Sequence, residues 1–163
     1  MTDRAKHRDI KLPDLLKERY IALDLKEKEK TKLIAELVDI VIKSGRIKNR
    51  EALSKAILER ERLGSTAIGN GVAIPHAKIK GIKKPLLILG RSVGGVNFDS
   101  LDGEKTYLFF MLISPQEEVG PHLKILAKVS HLVKDKFVVE RLKKIKDKHE
   151  IFEIISDFER YFK

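Results

Sequence analysis

The chain has 163 residues, 42% of them hydrophobic, and a formal charge of +10. That length and apolar share suit one domain with one core and exclude a disordered tail. The chain contains no cysteine, which excludes disulfides, zinc–thiolate sites and thiol nucleophiles. The histidines at 7, 76, 122, 131 and 149 have no metal-ligand spacing, so neither metal nor cofactor is expected. No apolar run approaches the ~20 residues of a membrane span. The charged start, Met1 to Asp9, is no secretory signal, and a cytoplasmic protein is expected. Lysines alternate with glutamates, as in Lys26–Lys30, without interleaved aromatics. This predicts a solvated surface rather than a nucleic-acid partner.

In chain order, residues 1–9 read as a mobile tail and 10–163 as a single domain. Pro13 to Leu16 suits a short helical turn. Ile21, Leu23 and Leu25 alternate with Ala22 and Asp24, the period of a half-buried strand. Leu33, Ile34, Leu37, Val38 and Val41 share one face of a helix that begins near Thr31 and stops at Gly45. Asn49 is placed to cap a second helix running through Leu53, Ile57 and Leu58 to about Gly64. After the loop and short strand of 64–78, Pro85–Leu89 reads as a central strand. Gly94-Gly95 reads as a turn into a second alternating strand at Val96 and Phe98. Tyr107–Ile113 is the most apolar stretch and predicts a strand buried on both faces. Three helices follow. Leu123, Leu126, Val129 and Val133 mark the face of the first, and Phe137, Val138 and Leu142 that of the second. Asp147 and Glu150 open the third, whose Ile151, Ile154, Ile155 and Phe158 pack inward. The fold expected is α/β of the mixed α+β kind: one mixed sheet of about five strands with helices on both faces.

Residues 64–78 carry the chemistry. Gly69, Asn70 and Gly71 form a turn into the apolar run Val72, Ala73, Ile74, which stops at Pro75 with His76 next. Proline fixes its backbone angle and has no N–H, so it holds one imidazole at a strand end beside a loop of small residues and hydroxyls. Three further features bear on His76. Arg60, beside Glu61, reads alone as a solvated helix charge or as a guanidinium fork for phosphate oxygens. Ser65 and Thr66 read equally as caps or as donors to phosphate. Gly120-Pro121-His122 reads as a helix start, where a positive dipole end attracts anions and favours neutral imidazole. No ATP-binding glycine loop or magnesium-binding carboxylate cluster is present, so a phosphate donor would be another phosphoprotein.

These residues resemble the active-site pattern of enzyme IIA of the bacterial phosphotransferase system, in the mannitol/fructose class that includes the nitrogen-regulatory IIA proteins. The pattern is an acidic or amide residue, six of any kind, an aliphatic, Gly or Ala, and two of any kind. Then come aliphatic-Ala-aliphatic-Pro-His and a small residue. Here it reads Glu61, Ile68, Gly69, Val72, Ala73, Ile74, Pro75, His76, Ala77, without departure. Arg60 and His122 match the family's arginine and second histidine, and Phe98 to Gly103 looks like a family loop.

The resemblance implies a phosphotransferase in which His76 takes a phosphoryl group from the histidine phosphocarrier protein, with Arg60 and His122 in catalytic roles. Glu61, Ser65, Thr66, Gly69, Asn70 and Gly71 would bind the phosphate or support the site. It further implies a nitrogen-regulatory signalling protein. The runner-up is a stand-alone fructose- or mannitol-specific IIA subunit passing phosphate to a IIB component for sugar uptake. A third reading, of another class, is a regulatory binding module with the same fold that never carries phosphate. The chain lacks the cysteine by which a IIB domain of this class works, so no such domain is expected within it.

Overall fold

The computed structural model describes residues 10–161; the expected tail at 1–9 lies outside the described residues. The elements run α1 (Leu12–Leu15), a 3-10 turn (Glu18–Tyr20), β1 (Ile21–Ala22), α2 (Lys30–Lys43) and α3 (Arg50–Arg62). Next come β2 (Ala67–Gly69), β3 (Val72–Ala73), β4 (His76–Ile79), β5 (Leu86–Val96) and β6 (Thr106–Pro115). α4 (Val119–Leu132), α5 (Lys136–Lys144) and α6 (Lys148–Tyr161) complete the chain. No helix among the described residues is long and apolar enough to cross a membrane.

The strands form one mixed sheet in the order β1-β5-β6-β3-β2. β5 and β6 are antiparallel and make its centre; β1 joins β5, and β3 joins β6, both in parallel. Six consecutive residues of β6, Leu108–Ile113, are buried. Successive side chains of a strand point to opposite faces, so both faces of the sheet are covered. Among the helices that cover it, α2 is amphipathic in the predicted way. α2 buries Leu33, Ile34, Leu37, Val38 and Val41, and Asn49 caps α3 by accepting from the N–H of Ala52 at 3.0 Å.

Three expectations are corrected, and the expected mixed sheet of about five strands has six. The alternation at Ile21–Leu25 yields only the two-residue β1. Gly94-Gly95 does not turn the chain: β5 runs through it as one strand, with a register shift between Arg91 and Val96. Gly95 has φ of 78°, and a Cβ there would stand 2.7 Å from the Tyr107 ring, so the bulge requires glycine. The sheet has six strands because Pro75 divides one line of chain into β3 and β4, which pair in succession with β6. On α4 the buried face is His122, Ile125, Val129 and Leu132, leaving Leu123 exposed. On α5 it is Val139 and Leu142, leaving Phe137 exposed. Apolar spacing alone does not distinguish these neighbouring stripes.

A buried ion pair anchors the start of the domain. Lys128 Nζ lies 3.1 Å from Glu159 Oε2, both side chains being 8% exposed. The lysine also donates to the carbonyl of Ile10, and Glu159 accepts from the N–H of Leu12. Lys128→Ala leaves that carboxylate buried without its counter-charge. It should cost about 3 kcal/mol in urea unfolding; a loss below about 1 kcal/mol would show that water replaces the lysine.

Candidate functional site

Pro75 breaks the β3–β6 ladder, yet its carbonyl accepts from the N–H of Leu112 at 2.9 Å and keeps the break tied to β6. His76 therefore opens β4 rather than ending β3. Its Nδ1 lies 2.8 Å from the carbonyl oxygen of Ile74. A carbonyl only accepts, so Nδ1 carries the proton and Nε2 the lone pair. Arg60, in the last turn of α3, donates from Nε to that Nε2 at 3.3 Å, and from Nη1 to the carbonyl of Gly64 at 2.9 Å.

Parallel pairing sets His76 opposite Leu112 and Lys78 opposite Ser114. Paired residues and residues two apart point to the same face. His76, Lys78, Leu112 and Ser114 thus share one face of the sheet. The first turn of α4 brings His122 onto it, with its ring centre 5.5 Å from that of His76 and the planes inclined by 53°. Pro121 is the third residue of this helix, not the first as the Gly-Pro-His sequence implies. His122 is buried and its Nδ1 meets Ser114 Oγ at 2.6 Å.

Both imidazoles resist protonation. Burial lowers the pKa of His76, and the charges of Arg60 and Lys78 act in the same direction; the Ile74 carbonyl and Glu61 oppose them. Burial, then His76 and Lys78, push His122 down from 6.5 to about 4. A histidine whose native pKa lies below its unfolded value takes up its proton more readily when unfolded. The stability present above pH 6.5 is therefore lost as pH falls toward 4. His122 alone should make the protein roughly 2–3 kcal/mol less stable across that window. Urea unfolding at several pH values checks this: His122→Gln should flatten the dependence, and an equally steep profile in the variant would refute it.

The other candidates divide into two groups. Glu61 is buried and pairs with Lys30 Nζ at 3.0 Å, while accepting from the backbone N–H of Thr66 at 3.3 Å and from the Thr66 hydroxyl. Ser65 donates to the carbonyl of Phe98 at 2.7 Å and accepts from the N–H of Ala67. Glu61, Ser65 and Thr66 thus brace the loop whose Gly64 carbonyl holds Arg60. The turn at Gly69, Asn70 and Gly71 is elsewhere. Gly71 meets β6 at Tyr107 and Leu108, whereas His76 sits beside Leu112. Four residues of strand separate the two levels, about 13 Å. The structure does not bring these three residues to the imidazole; Asn70 N–H bonds Asp102 instead. His131 and His149 are exposed on α4 and α6, and His7 lies outside the described residues.

Sequence reasoning passed over Lys78 and Ser114. The strand period after His76 could have found Lys78. Nothing in the sequence signals Ser114, because its link to His122 depends on the β4–β6 register.

Residues 14–158 match the family described as "Phosphoenolpyruvate-dependent sugar phosphotransferase system, EIIA 2". The "PTS system fructose-specific EIIA component" of Haloferax volcanii is 33% identical over 83% of this chain and 89% of its own length. The "Nitrogen regulatory protein" of Bradyrhizobium diazoefficiens is 34% identical over 66% and 71%. The match to the Bacillus subtilis "PTS system fructose-specific EIIABC component", at 35% identity over 93% of this chain, spans only 24% of that relative. The crystal structure of the nitrogen regulatory protein IIA-Ntr from Neisseria meningitidis superimposes with a TM-score of 0.83. It is 29% identical and covers 88% of this chain and 98% of that one.

Fold and family together define a phosphotransfer protein of the phosphoenolpyruvate-dependent system. More narrowly, the chain belongs to the EIIA 2 family, that of the mannitol/fructose-class IIA phosphoryl carriers.

Proposed function

We propose that residues 10–163 act as one IIA domain in the cytoplasm and that His76 is the phosphoryl acceptor, through Nε2. The observation that carries this is the hydrogen bond from Nδ1 to the Ile74 carbonyl, which leaves Nε2 as the nucleophilic nitrogen beside a guanidinium. The donor is a phosphohistidine of the histidine phosphocarrier protein. The Nε2 lone pair attacks phosphorus, the Nε2–P bond forms, and the donor's N–P bond breaks with its electron pair returning to the donor ring. If the donor's phosphorylated ring is an imidazolium, it leaves as neutral imidazole and His76 becomes the imidazolium, so no proton is gained or lost. The Ile74 carbonyl then holds a cationic N–H, a stronger bond than before. Arg60, Lys78 and His122 surround the transferred group, and the reaction needs positioning and charge stabilisation rather than further chemistry.

The nitrogen-regulatory reading, in which the phosphorylated and free forms bind different targets, draws support from the likeness to the Neisseria and Bradyrhizobium proteins. The fructose-specific names of the Haloferax and Bacillus relatives favour a second reading, transfer onward to a IIB component. The deciding experiment incubates the protein with phosphoenolpyruvate, enzyme I and the phosphocarrier protein. Acid-labile phosphate on His76 is expected; no label would leave the unphosphorylated binding module. Rapid discharge of the label onto an added fructose-type IIB would decide for transport.

A further inference from the structure

For His122 to stabilise a phosphoryl group on His76 it must present an N–H, and a neutral imidazole has only one. Which nitrogen bears it is decided by the partner of the other. That partner is Ser114. Its hydroxyl lies 2.6 Å from His122 Nδ1, and this is its one hydrogen bond among the described residues. Ser114 is 0% exposed and His122 4%, so neither has bulk water as an alternative.

Two arrangements are possible. If Nδ1 carried the hydrogen, it would donate to Ser114 Oγ, and the serine's own hydrogen would be buried with no acceptor, a costly state. If Ser114 donates to Nδ1, both groups are satisfied and the ring hydrogen resides on Nε2. The low affinity of His122 for a second proton keeps the ring neutral at physiological pH, so the choice of tautomer persists.

We propose that Ser114 is a positioning residue: by donating to Nδ1 of His122 it holds that ring as the Nε2–H tautomer, which offers its hydrogen to a phosphoryl oxygen on His76. The two neighbouring histidines are thereby set in opposite tautomers, one a nucleophile and the other a donor, by two different elements. The Ile74 carbonyl just before the break at Pro75 fixes the first, and a β6 side chain beside Lys78 fixes the second. The inference rests on His76 being the phosphoryl acceptor, but the tautomer exists whether or not phosphate is ever loaded.

The test is nitrogen-15 NMR of the unphosphorylated protein at pH 7.5, for the natural chain, Ser114→Ala and Ser114→Thr. His122 should show its hydrogen on Nε2 in the natural chain and in Ser114→Thr, and a mixture of tautomers in Ser114→Ala. Transfer from the phosphocarrier protein should fall about tenfold in Ser114→Ala and recover in Ser114→Thr. A natural-chain spectrum with the hydrogen on Nδ1, or an unchanged tautomer in a folded Ser114→Ala, would overturn the proposal. Should the alanine variant not fold, the natural-chain spectrum alone still decides. A correct tautomer without any phosphorylation would instead count against the function of His76.

Discussion

His76→Ala should accept no phosphate: labelling from the phosphocarrier protein should drop by more than about 10³-fold, the scale seen when a covalent nucleophile is deleted. No neighbour is equipped to replace it. His122 lies 5.5 Å away between ring centres, but its Nδ1 is committed to Ser114 and its burial excludes a docking partner. His131 and His149 are exposed on helices α4 and α6, away from the Arg60 guanidinium that donates to His76. The fold should survive, because His76 is half-buried and gives up only its bonds to Ile74 and Arg60. Mass spectrometry under alkaline conditions, with circular dichroism as the fold control, makes the comparison. Persistent acid-labile phosphate in the variant would move the acceptor elsewhere.

Arg60→Gln should slow transfer by about 10²-fold, the usual cost of one charge-stabilising donor at a reacting centre. In the resting protein Arg60 Nε occupies the Nε2 lone pair of His76, while Nη1 stays fastened to Gly64. In the proposed transfer to His76, the Nε bond would pass from the ring nitrogen to a phosphoryl oxygen, and the Gly64 tether would limit how far the guanidinium moves. Arg60→Lys keeps the charge but loses this fork, and should recover only part of the rate. The same change has a second readout. The Arg60 charge helps hold the His76 pKa below 6.5, so in Arg60→Gln the His76 titration should move upward. Single-turnover transfer and proton NMR titration test the two together. A variant with normal rate and unchanged titration would reduce Arg60 to a helix-end anchor for Gly64.

Chemistry and motif were legible in the sequence, while spatial grouping was only partly so. The His76 pattern was readable because Pro75 acts locally: it ends the ladder wherever it sits, and the imidazole must follow. Arg60 was readable because α3 and the hairpin after it are contiguous in sequence. The turn at Gly69–Gly71 was misleading for the same reason of nearness. It lies five to seven residues from His76 in sequence, yet extended chain carries it to another level of β6. Gly94-Gly95 misled differently, since two glycines serve a turn or a bulge equally and only the partner strand decides.

The sequence by itself determined the class of protein: it has no thiol and no nucleotide loop, and the motif running to Pro75-His76 resembles that of the IIA phosphoryl carriers to which the chain belongs. It also determined the helices with strong apolar stripes, because a 3.6-residue period is a local property. Only the tertiary structure decided which nitrogen of His76 faces the Ile74 carbonyl, which nitrogen of His122 meets Ser114, and that Lys78 and Ser114 stand on the same face. Those facts depend on hydrogen bonds to a specific carbonyl and on a parallel register between strands more than thirty residues apart in sequence. A strand shifted by one residue would reverse which side chains face the site, and no local pattern encodes that shift.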